Sequence, residues 1–447
     1  MALSVQRPKG TQDALPSSIY KWHTVEQVVR DCAEQFGFRE IRTPVFEDTS
    51  LYIRSVGDTS DVVTKEMYTV SSKGDATFTL RPEGTAGVVR AMLENGVMNE
   101  GFPQKVYYII PCFRHEKPQA GRLREFHQFG VEMFGTANPY ADAEIIMLAK
   151  SVIDSCGLDG IALNINSIGC PECRKSYHAA LKEYFYARRD ELCPTCLERL
   201  EKNPMRILDC KSVVCSEIAK DAPVILDYLC SDCSEHFEKL KGILGDYGVE
   251  YKVNPRIVRG LDYYTRTVFE FISTDIGAQG TVCGGGRYDG LVRELGGQPT
   301  PALGFGLGLE RLILTMEKQN KDFLVPKTCD IYFAPMGEKA AKKASLMTME
   351  LREDGYAAEF DIVGRGLKPQ MRYADKIGAK FVCVLGDNEL ESGIVRIKNM
   401  RTGDQTEASL DAFKTAFVSL IINETFETEG LEENLESLTE GLGLNNI

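Results

Sequence analysis

The pattern of apolar and polar residues differs between the first and the second part of this chain. In the first part, the pattern predicts an amphipathic helix that ends near Gly37, followed by strands in which every second residue is apolar. Two of these strands, residues 104–114 and 125–135, are separated by a short polar stretch and are expected to pair as a long antiparallel hairpin. From Cys329 onward, strands and helices take turns, which is typical of a small α/β domain. The sequence therefore predicts two domains that meet near residues 321–328.

A cysteine-rich stretch interrupts the strands of the first part. Residues 169–248 lie between two strand patterns and are expected to form a helical insertion. The residues around it, 1–324, then form an α+β domain built on an antiparallel sheet. The expected second domain covers residues 328–424, and a glutamate-rich tail follows over residues 425–447.

Composition narrows the classes of protein to which the chain can belong. The 447 residues are 43% hydrophobic and 26% charged, as in ordinary globular proteins. The sequence has no long apolar run that predicts a membrane span and no apolar N-terminal segment that predicts secretion, so we expect a cytoplasmic protein. The net charge of −13 argues against a histone-like binder of nucleic acid. Residues 424–447 hold seven glutamates and no basic residue, however, so the remainder carries −6 and can still present basic patches to RNA.

Eight of the fourteen cysteines fall between Cys170 and Cys233. In a reducing cytosol, such crowding favours metal ligation over disulfides. The C-P-E-C and C-P-T-C pairs are separated by nineteen residues, a usual spacing for a four-thiolate zinc site. The expected ligands of this structural site are Cys170, Cys173, Cys193 and Cys196. The cysteines that remain for a second site are Cys210, Cys215, Cys230 and Cys233. Free structural thiols are the alternative.

Polar residues lie on one face of the predicted hairpin. Gln128, Gly130 and Glu132 share a face of the second strand, whereas the residues between them are apolar. The first strand ends in Arg114. Buried carboxylate and amide groups need polar partners, so the pattern predicts either a polar cavity or an exposed sheet face.

The segment GFGLG (304–308) places three glycines on one face of a strand. A flat strip of backbone results, against which a planar ring such as adenine could stack. Arg311 follows in the first turn of a helix, where it could meet a polyphosphate. A tight packing contact is the alternative for the glycines. The sequence contains no P-loop, so any use of ATP would need a different site.

Two further segments are dense in arginine, tyrosine and glycine. Residues 256–271 include Arg259, Tyr263 and Tyr264, and residues 281–291 begin with three consecutive glycines before Arg287 and Tyr288. This composition suits an anionic, aromatic ligand better than a core. An ion pair with Asp262 is the structural alternative for Arg259.

The segment LRPEGTAG (80–87) lies at a predicted turn from a strand to a helix. It adds Glu83 and Thr85 as candidate ligand-binding residues, although the same pattern would serve equally well to cap the helix.

Taken together, five segments resemble the motifs of class II aminoacyl-tRNA synthetases, and among them those of the histidyl-tRNA synthetases. FRHE (113–116) with its partner strand resembles motif 2, and GFGLGLER (304–311) resembles motif 3. The segment that ends at Pro44 resembles motif 1, which forms the dimer in this class. RGLDYYTRTVFE and CGGGRYDGL resemble the two histidine-specific motifs. The resemblance extends over roughly residues 5–424.

The resemblance implies a class II catalytic domain followed by an anticodon-binding domain, assembled as a homodimer. It also implies a reaction: ATP with Mg²⁺ activates L-histidine to histidyl-adenylate, and histidine is then transferred to the 3′ end of tRNA(His). Cations held in fixed positions around the phosphates would carry the catalysis.

The resemblance further implies a role for each matching residue. The implied catalytic residues are Arg259, Arg114 and Arg311. The implied histidine-binding residues are Glu83, Thr85, Arg114, Gln128, Glu132, Arg259, Tyr263 and Tyr264. The implied ATP-binding residues are Arg114, Gly304, Gly306, Gly308 and Arg311. The implied contacts with the acceptor end of tRNA are Lys117, Gln119 and Arg122.

Two other classes of protein remain alternatives. One is a regulatory subunit of ATP phosphoribosyltransferase, which binds histidine and aminoacylates nothing. The other is an RNA-binding module without catalysis. Arg259, Tyr264 and Arg311, together with a C-terminal α/β domain, argue against the regulatory subunit. The acidic net charge argues against the RNA-binding module.

Overall fold

The computed structural model describes residues 5–57, 60–71, 76–275, 280–324 and 329–429. These residues form two compact units, the first ending at Leu324 and the second beginning beyond it. Among the described residues, no helix has both the length and the apolar character that a membrane crossing requires.

The first unit contains eleven strands and ten α-helices within the described ranges. The strands are β1 (Arg39–Glu40), β2 (Phe46–Asp48), β3 (Tyr68–Ser71), β4 (Thr77–Leu80), β5 (Gln104–Phe113), β6 (Glu125–Phe134), β7 (Ile161–Ser167), β8 (Lys252–Val253), β9 (Thr265–Ser273), β10 (Thr281–Arg287) and β11 (Ala302–Gly308). The helices are α1 (Ile19–Gln35), α2 (Thr49–Val56), α3 (Thr85–Glu94), α4 (Pro139–Ser155), α5 (Pro171–Tyr186), α6 (Pro194–Lys202), α7 (Val213–Lys220), α8 (Ser231–Asp246), α9 (Leu291–Glu294) and α10 (Leu309–Lys318).

Eight strands form the central sheet, in the order β1-β5-β6-β11-β10-β9-β7-β8. The six inner strands pair antiparallel, and only the short edge strands β1 and β8 pair parallel with their neighbours. The predicted hairpin is confirmed as β5 and β6, with Tyr108 opposite Gly130. The predicted antiparallel α+β architecture is therefore confirmed. The remaining strands form a separate small sheet in the order β2-β4-β3.

Alternation along the inner strands separates a core face from a polar face. Phe129, Val131 and Met133 of β6 lie in the same apolar cluster as Phe305 and Leu307 of β11, together with residues of α1, α4 and α10. The intervening residues point to the opposite face because successive side chains of a strand alternate. That face therefore carries the polar residues of β6 and the glycines of β11.

The strand predicted to end at Pro44 is shorter than expected. Only Arg39–Glu40 pairs with β5. The carbonyl oxygens of Thr43 and Pro44 instead accept hydrogen bonds from the buried guanidinium of Arg81, at 2.8 and 3.1 Å. The strand expected over 249–255 is likewise reduced to the edge strand Lys252–Val253.

The cysteine-rich insertion is helical, as predicted, and contains α5 to α8. Its interior includes Tyr177, Leu181, Phe185 and Leu200, which are all nearly inaccessible to solvent. The last helix, α8, also reaches the main core through Phe237. The insertion is therefore packed against the core of the central sheet.

The second unit is a small α/β domain, also as predicted. Its elements are β12 (Ile331–Pro335), α11 (Glu338–Glu353), β13 (Ala358–Phe360), α12 (Leu367–Lys376), β14 (Phe381–Leu385), α13 (Asp387–Ser392), β15 (Ile394–Asn399), β16 (Gln405–Ser409) and α14 (Phe413–Glu429). The sheet order is β13-β12-β14-β15-β16, with the first three strands parallel and the last two antiparallel.

The C-terminal end of this unit differs from the sequence expectation. The pattern did not predict β16, because both of its faces are largely polar and exposed. The glutamate-rich tail was expected from residue 425 as a frayed helix or a disordered segment, and α14 (Phe413–Glu429) includes its first residues. The tail beyond Glu429 lies outside the described residues.

Candidate active site

Glu132 is a buried carboxylate at the centre of the polar face of the sheet. Its Oε1 accepts hydrogen bonds from Thr85 Oγ1 at 2.7 Å and from the Tyr108 hydroxyl at 3.0 Å. Its Oε2 accepts a hydrogen bond from the Tyr288 hydroxyl. Burial raises the pKa of Glu132 to about 8, although these hydroxyl hydrogen bonds oppose the rise. The polar strand face is therefore a polar cavity and not an exposed surface.

Tyr108 and Tyr288 are site residues that the sequence prediction did not include. Both are buried to about 1% exposure. Tyr108 lies on the predicted polar face of β5, and Tyr288 follows the glycine-rich strand. The alternation along the strand and the tyrosine-rich composition are both consistent with this cavity. Neither signal shows that the two hydroxyl groups bind the Glu132 carboxylate.

Glu83 and Thr85 lie at the start of α3, and their contacts differ. The Glu83 carboxylate accepts hydrogen bonds from the backbone N–H groups of Thr85 and Ala86 at 2.7 and 2.9 Å. It therefore caps the helix, as one of the two interpretations of the sequence expected. Burial raises the pKa of Glu83. The Thr85 side chain instead donates to Glu132, so the turn brings the two carboxylates into one cavity.

Tyr263 and Tyr264 form an aromatic wall beside this cavity. Both side chains are buried, and their ring centroids are 4.7 Å apart. The Tyr263 ring also contacts that of Tyr288 in an edge-to-face arrangement at 5.5 Å. The structure thus brings the tyrosines of the two histidine-like motifs together with Glu132.

Arg259 is held on the adjacent part of the sheet by Glu270 of β9. Its Nη1 donates to the Glu270 carboxylate, and its guanidinium lies 5.8 Å from the centre of the Tyr264 ring. Burial disfavours the charged form, but the neighbouring Glu270 outweighs this effect and raises the pKa of Arg259. Its Nε is buried and has no hydrogen-bond acceptor within the described part of the chain. The cation is therefore fixed, with one donor still available.

The glycines of β10 explain how Arg259 fits there. A Cβ at Gly284 would lie 2.7 Å from both terminal nitrogens of the guanidinium, so only glycine leaves room for it. The expected alternative, a structural pair with Asp262, is wrong. Asp262 Oδ1 accepts from Nη2 of Arg206 at 2.9 Å, whereas the partner of Arg259 is Glu270.

A second group of cations lies around the turn that follows β5. Arg114 Nε donates to the Pro82 carbonyl at 2.8 Å, and its guanidinium lies 5.3 Å from the centre of the Phe126 ring. Arg311 Nε donates to the Gly121 carbonyl at 3.2 Å. Burial lowers the pKa of Arg311, and the nearby positive charges of Arg122 and Arg114 lower it further. Cations that destabilise one another in this way form a ready site for a polyanion.

The predicted tRNA contacts lie on the loop between β5 and β6. Gln119 and Arg122 exchange backbone hydrogen bonds of 3.0 and 2.9 Å across a tight turn, in which Gly121 has a positive φ of 66°. Lys117 and Gln119 are exposed. Arg122 is paired with Glu116. Of the three predicted contacts, Lys117 therefore offers the exposed positive charge.

The glycines of β11 lie against the polar face, but their strip is not open along its whole length. Gly304 is opposite Glu132 in the sheet, and Gly308 is opposite Gln128. A Cβ at Gly304 would lie 2.1 Å from the Val131 carbonyl oxygen, and one at Gly306 would lie 1.8 Å from Nε2 of Gln128. Near Gly308 the closest atoms would be those of Arg311, 3.9 Å away. Only this end is open to a planar ring.

These distances predict a graded response to alanine. Gly304→Ala is expected to destabilise the protein by about 1–3 kcal/mol or more, because the clash is with backbone that the sheet holds in place. Gly306→Ala should fold normally, because it displaces only the end of the Gln128 side chain. Gly308→Ala is the matched control for folding. Thermal unfolding midpoints, measured for all three variants, test the order; equal stability of the Gly304 and Gly308 variants would contradict it.

Arg287 has a structural role and is not part of the ligand cavity. It is fully buried, and its Nη2 donates to the Asp142 carboxylate at 2.6 Å. Its other donors reach the carbonyls of Thr136 and Asn138 at 2.9 and 3.1 Å. The expectation that this segment suits a ligand better than a core is therefore wrong for Arg287.

The eight cysteines of the insertion form two groups, and these differ from the groups that the spacing predicted. One group is Cys170, Cys173, Cys230 and Cys233; the other is Cys193, Cys196, Cys210 and Cys215. Within each group all the sulfur atoms lie within 4.8 Å of one another. The expected site of Cys170, Cys173, Cys193 and Cys196 is therefore wrong. The fold pairs each C-x-x-C segment with cysteines further along the chain.

Comparison with known proteins identifies the family of the chain. The family model described as "Histidyl-tRNA synthetase" matches residues 10–173 and 200–312, and one described as "Anticodon binding domain" matches residues 330–420. The histidine–tRNA ligase of Acetivibrio thermocellus is 54% identical over 406 residues, which cover 91% of this chain and 97% of that protein. This chain belongs to the histidyl-tRNA synthetase family.

Other members of the family support the same fold. The histidine–tRNA ligase of Clostridioides difficile is 50% identical over 404 residues, or 90% of this chain and 96% of that protein. The crystal structure of the apo histidyl-tRNA synthetase of S. aureus superimposes with a TM-score of 0.79 at 38% identity, covering 92% of this chain and 99% of that one. The resemblance stated from the motifs is confirmed, as is the expectation of an enzyme of the ligase class.

The segments that match the family contain all the predicted site residues except Cys193 and Cys196. These two cysteines fall in the gap between the matched segments.

Proposed function

We propose that this protein activates L-histidine with ATP and Mg²⁺ and transfers the histidyl group to the 3′ end of tRNA(His). The observation that carries the proposal is the juxtaposition of a fixed cation with a polar, aromatic cavity. Arg259 has a free buried donor at Nε, and it lies beside Tyr264, which in turn adjoins Tyr263 and the Glu132 cluster. A carboxyl group activated in that cavity would meet the α-phosphate beside the cation.

The cavity around Glu132 recognises histidine. An imidazole ring has two nitrogens for hydrogen bonding, and the carboxylate and hydroxyl groups of the cavity offer both acceptors and donors. Gln128, Tyr263 and Tyr264 complete its lining, and Glu83 and Thr85 bind the amino end of the substrate. Analogues without ring nitrogens leave these buried groups unpaired, which is expected to reject them by about 10⁴-fold.

The three arginines act on the phosphates of ATP. Arg259 and Arg114 contact the α-phosphate, and Arg311 holds the γ-phosphate of a bent ATP, whose base stacks near the open end of the glycine strip at Gly308. Negative charge builds on the phosphates as the histidine carboxylate attacks and pyrophosphate leaves. Fixed cations stabilise this charge without reorganisation, so no covalent intermediate with the enzyme is needed.

Transfer to tRNA uses both units of the chain. Lys117, Gln119 and Arg122 contact the acceptor end next to the active site. In the second unit, Lys368, Arg372 and Lys376 are exposed along α12 at intervals of four residues, which favours contact with phosphates of the anticodon arm. Because its partner is a tRNA used in translation, we expect the protein in the cytoplasm. Structural zinc, held by cysteines of the insertion, is part of the same proposal.

Charging of tRNA(His) is the test of this function. The full chain with ATP, Mg²⁺ and labelled histidine should esterify a tRNA(His) transcript, whereas a transcript of another acceptor identity should stay uncharged. A protein that binds histidine firmly and charges neither transcript would instead be a regulatory relative.

We also propose that the protein is a homodimer formed through the small sheet. Apolar side chains are exposed around this sheet, and Phe46 of β2 is 55% exposed while Val70 of β3 is 54% exposed. Val45 and Ile53 are likewise exposed, to 40 and 44%. A patch of this kind is typical of a protein interface.

Phe46→Glu is expected to convert the dimer into a monomer, because it places a charge in the centre of an apolar interface. Tyr186→Glu is the matched control, since Tyr186 is a large side chain exposed to 48% on the insertion. Sedimentation velocity should show the mass of two chains for the wild type and the control, and of one chain for the Phe46 variant. A wild-type monomer would contradict the proposal.

A further inference from the structure

The eight cysteines of the insertion are arranged as two tetrathiolate cages. The Sγ–Sγ distances are 3.5 Å between Cys170 and Cys173, 4.0 Å between Cys170 and Cys230, and 3.8 Å between Cys193 and Cys210. Four sulfurs at about 2.3 Å from a tetrahedral Zn²⁺ lie about 3.8 Å from one another. A disulfide would instead bring two sulfurs to about 2.05 Å. Both cages therefore have the size of a zinc site.

Backbone groups around the cages favour thiolates. The N–H of Cys230 donates to Sγ of Cys173 at 3.1 Å, and the N–H of Cys193 donates to Sγ of Cys215 at 3.2 Å. Such outer hydrogen bonds are a regular feature of metal sites, since they orient the ligands. In addition, Cys170 and Cys230 are the N-cap residues of α5 and α8, so two helix N-termini converge on the first cage.

The second cage is nested within the first along the chain. The first cage joins the beginning of the insertion to its last helix, and the second cage lies entirely within the sequence that the first one closes. Residues 197–209 are consequently bounded on both sides by ligands of the second cage. Neither cage can form unless the helices of the insertion are already brought together, so each would fix a different segment.

The fixed segments are those that contact the loop 256–264, which carries Arg259. Directly behind the first cage, Arg174 donates from Nη1 to the Tyr264 carbonyl at 3.1 Å, and the Gly169 carbonyl accepts from the Arg266 N–H at 2.9 Å. Between the ligands of the second cage, Nη2 of Arg206 donates to the Gly260 carbonyl at 2.7 Å and to Asp262 at 2.9 Å. The loop is thus held from both cages.

We propose that the insertion binds two zinc ions, one in each cage, and that together they position the loop 256–264 for histidine activation. The positioning role rests on the proposed function, and the two sites specify the structural zinc that this function includes. Four thiolates close the coordination shell, so both ions are structural and neither contacts the substrates. The hydrogen bonds of Arg174, Gly169 and Arg206 hold the loop to the fixed segments. They restrain Tyr264 directly and Arg259 through the loop.

Metal analysis of the full chain, purified without chelator, tests the two sites. Elemental analysis should find two zinc ions per chain. Cys233→Ser and Cys196→Ser each remove one ligand from a different cage and should each leave one zinc. Cys32→Ser is the matched control: its sulfur lies outside both cages, 3.7 Å from the hydroxyls of Ser151 and Ser155, and it should retain two. Absence of stoichiometric zinc, or a content that both cage variants leave unchanged, would overturn the proposal.

Hydrogen exchange tests the positioning role independently of activity. Backbone amides of residues 256–266 should exchange about tenfold or more faster in either cage variant than in the wild type. Arg174→Gln should keep both zinc ions and still accelerate exchange in this loop, so the test survives if a cysteine variant fails to fold. A displaced loop should also slow adenylate formation by about 10- to 100-fold.

The outcomes separate the two proposals. Unchanged loop exchange in variants that have lost a zinc would overturn the positioning role. Failure of the wild type to activate histidine would instead contradict the proposed function, while zinc content and exchange would still decide whether the cages exist and hold the loop.

Discussion

Arg259→Ala is expected to slow the formation of histidyl-adenylate by about 10²–10³-fold, which corresponds to roughly 3–4 kcal/mol of lost transition-state stabilisation. The guanidinium is partly buried, fixed by Glu270, and accommodated by the absence of a side chain at Gly284. In the proposed reaction, a cation held in this way stabilises the charge that develops on the α-phosphate more than it stabilises bound ATP. The affinity for ATP should therefore change far less than the rate.

Two further variants distinguish a catalytic role of Arg259 from a structural one. Arg259→Lys should restore little activity, because a point charge on a flexible stem cannot donate to Glu270 and to a phosphate with the planar geometry of arginine. Arg293→Ala, at an exposed position of α9, is the control and should leave the rate unchanged. Removal of Arg259 also leaves Glu270 without this cation, so the folded fraction has to be measured. A near-normal rate of adenylate formation per folded molecule would show that Arg259 only holds the sheet together.

Above about pH 8, where Glu132 is ionised, Glu132→Gln is expected to lower kcat/KM for histidine by about 10²-fold, or roughly 3 kcal/mol, because it replaces a carboxylate acceptor with an amide that cannot serve all the hydroxyl donors. Tyr108 and Tyr288 both donate to this carboxylate, as does Thr85. Glu100→Gln, which changes an exposed carboxylate in the same way, should retain full activity.

The same variant should become more stable relative to the wild type as the pH rises. The folded pKa of Glu132 is about 8, above its ordinary value near 4.5, so the folded state binds the proton more tightly than the unfolded state. The contribution of this carboxyl group to stability is therefore complete below about pH 4.5 and is lost as the pH rises to about 8. Glutamine does not titrate. The stability of Glu132→Gln relative to the wild type should thus increase over this interval and stay level above it.

Thermal unfolding of both proteins at constant ionic strength, from pH 5 to pH 9, measures this difference. Because other buried groups titrate in both proteins, only the difference between them is diagnostic. A constant difference across the range would show that Glu132 is ionised in the folded protein throughout.

The sequence predicted the parts of this structure that follow from local periodicity. Alternation along β6 places Gln128 and Glu132 on one face, and the glycines of β11 occupy the matching face of the neighbouring strand. Contacts between residues that are far apart in the sequence leave no periodic pattern. Arg287 meets Asp142, which is 145 residues away in the sequence, and so an arginine that stabilises the core resembled one that binds a ligand.

The grouping of the cysteines was predicted wrongly for a related reason. Spacing indicates that pairs of thiols can share a metal, but it does not identify which pairs the helices bring together. The chain joins Cys170 and Cys173 with Cys230 and Cys233, past a second group that the first one encloses. Polar edge strands are similarly difficult to predict, because β16 has no buried face to impose alternation.

Pyrophosphate exchange with each of the twenty amino acids, in the presence of ATP and Mg²⁺, tests the central claim most directly. The site described around Glu132 and Arg259 predicts exchange above background with histidine alone. Folded protein that shows no exchange with histidine, or that exchanges equally well with another amino acid, would contradict the claim.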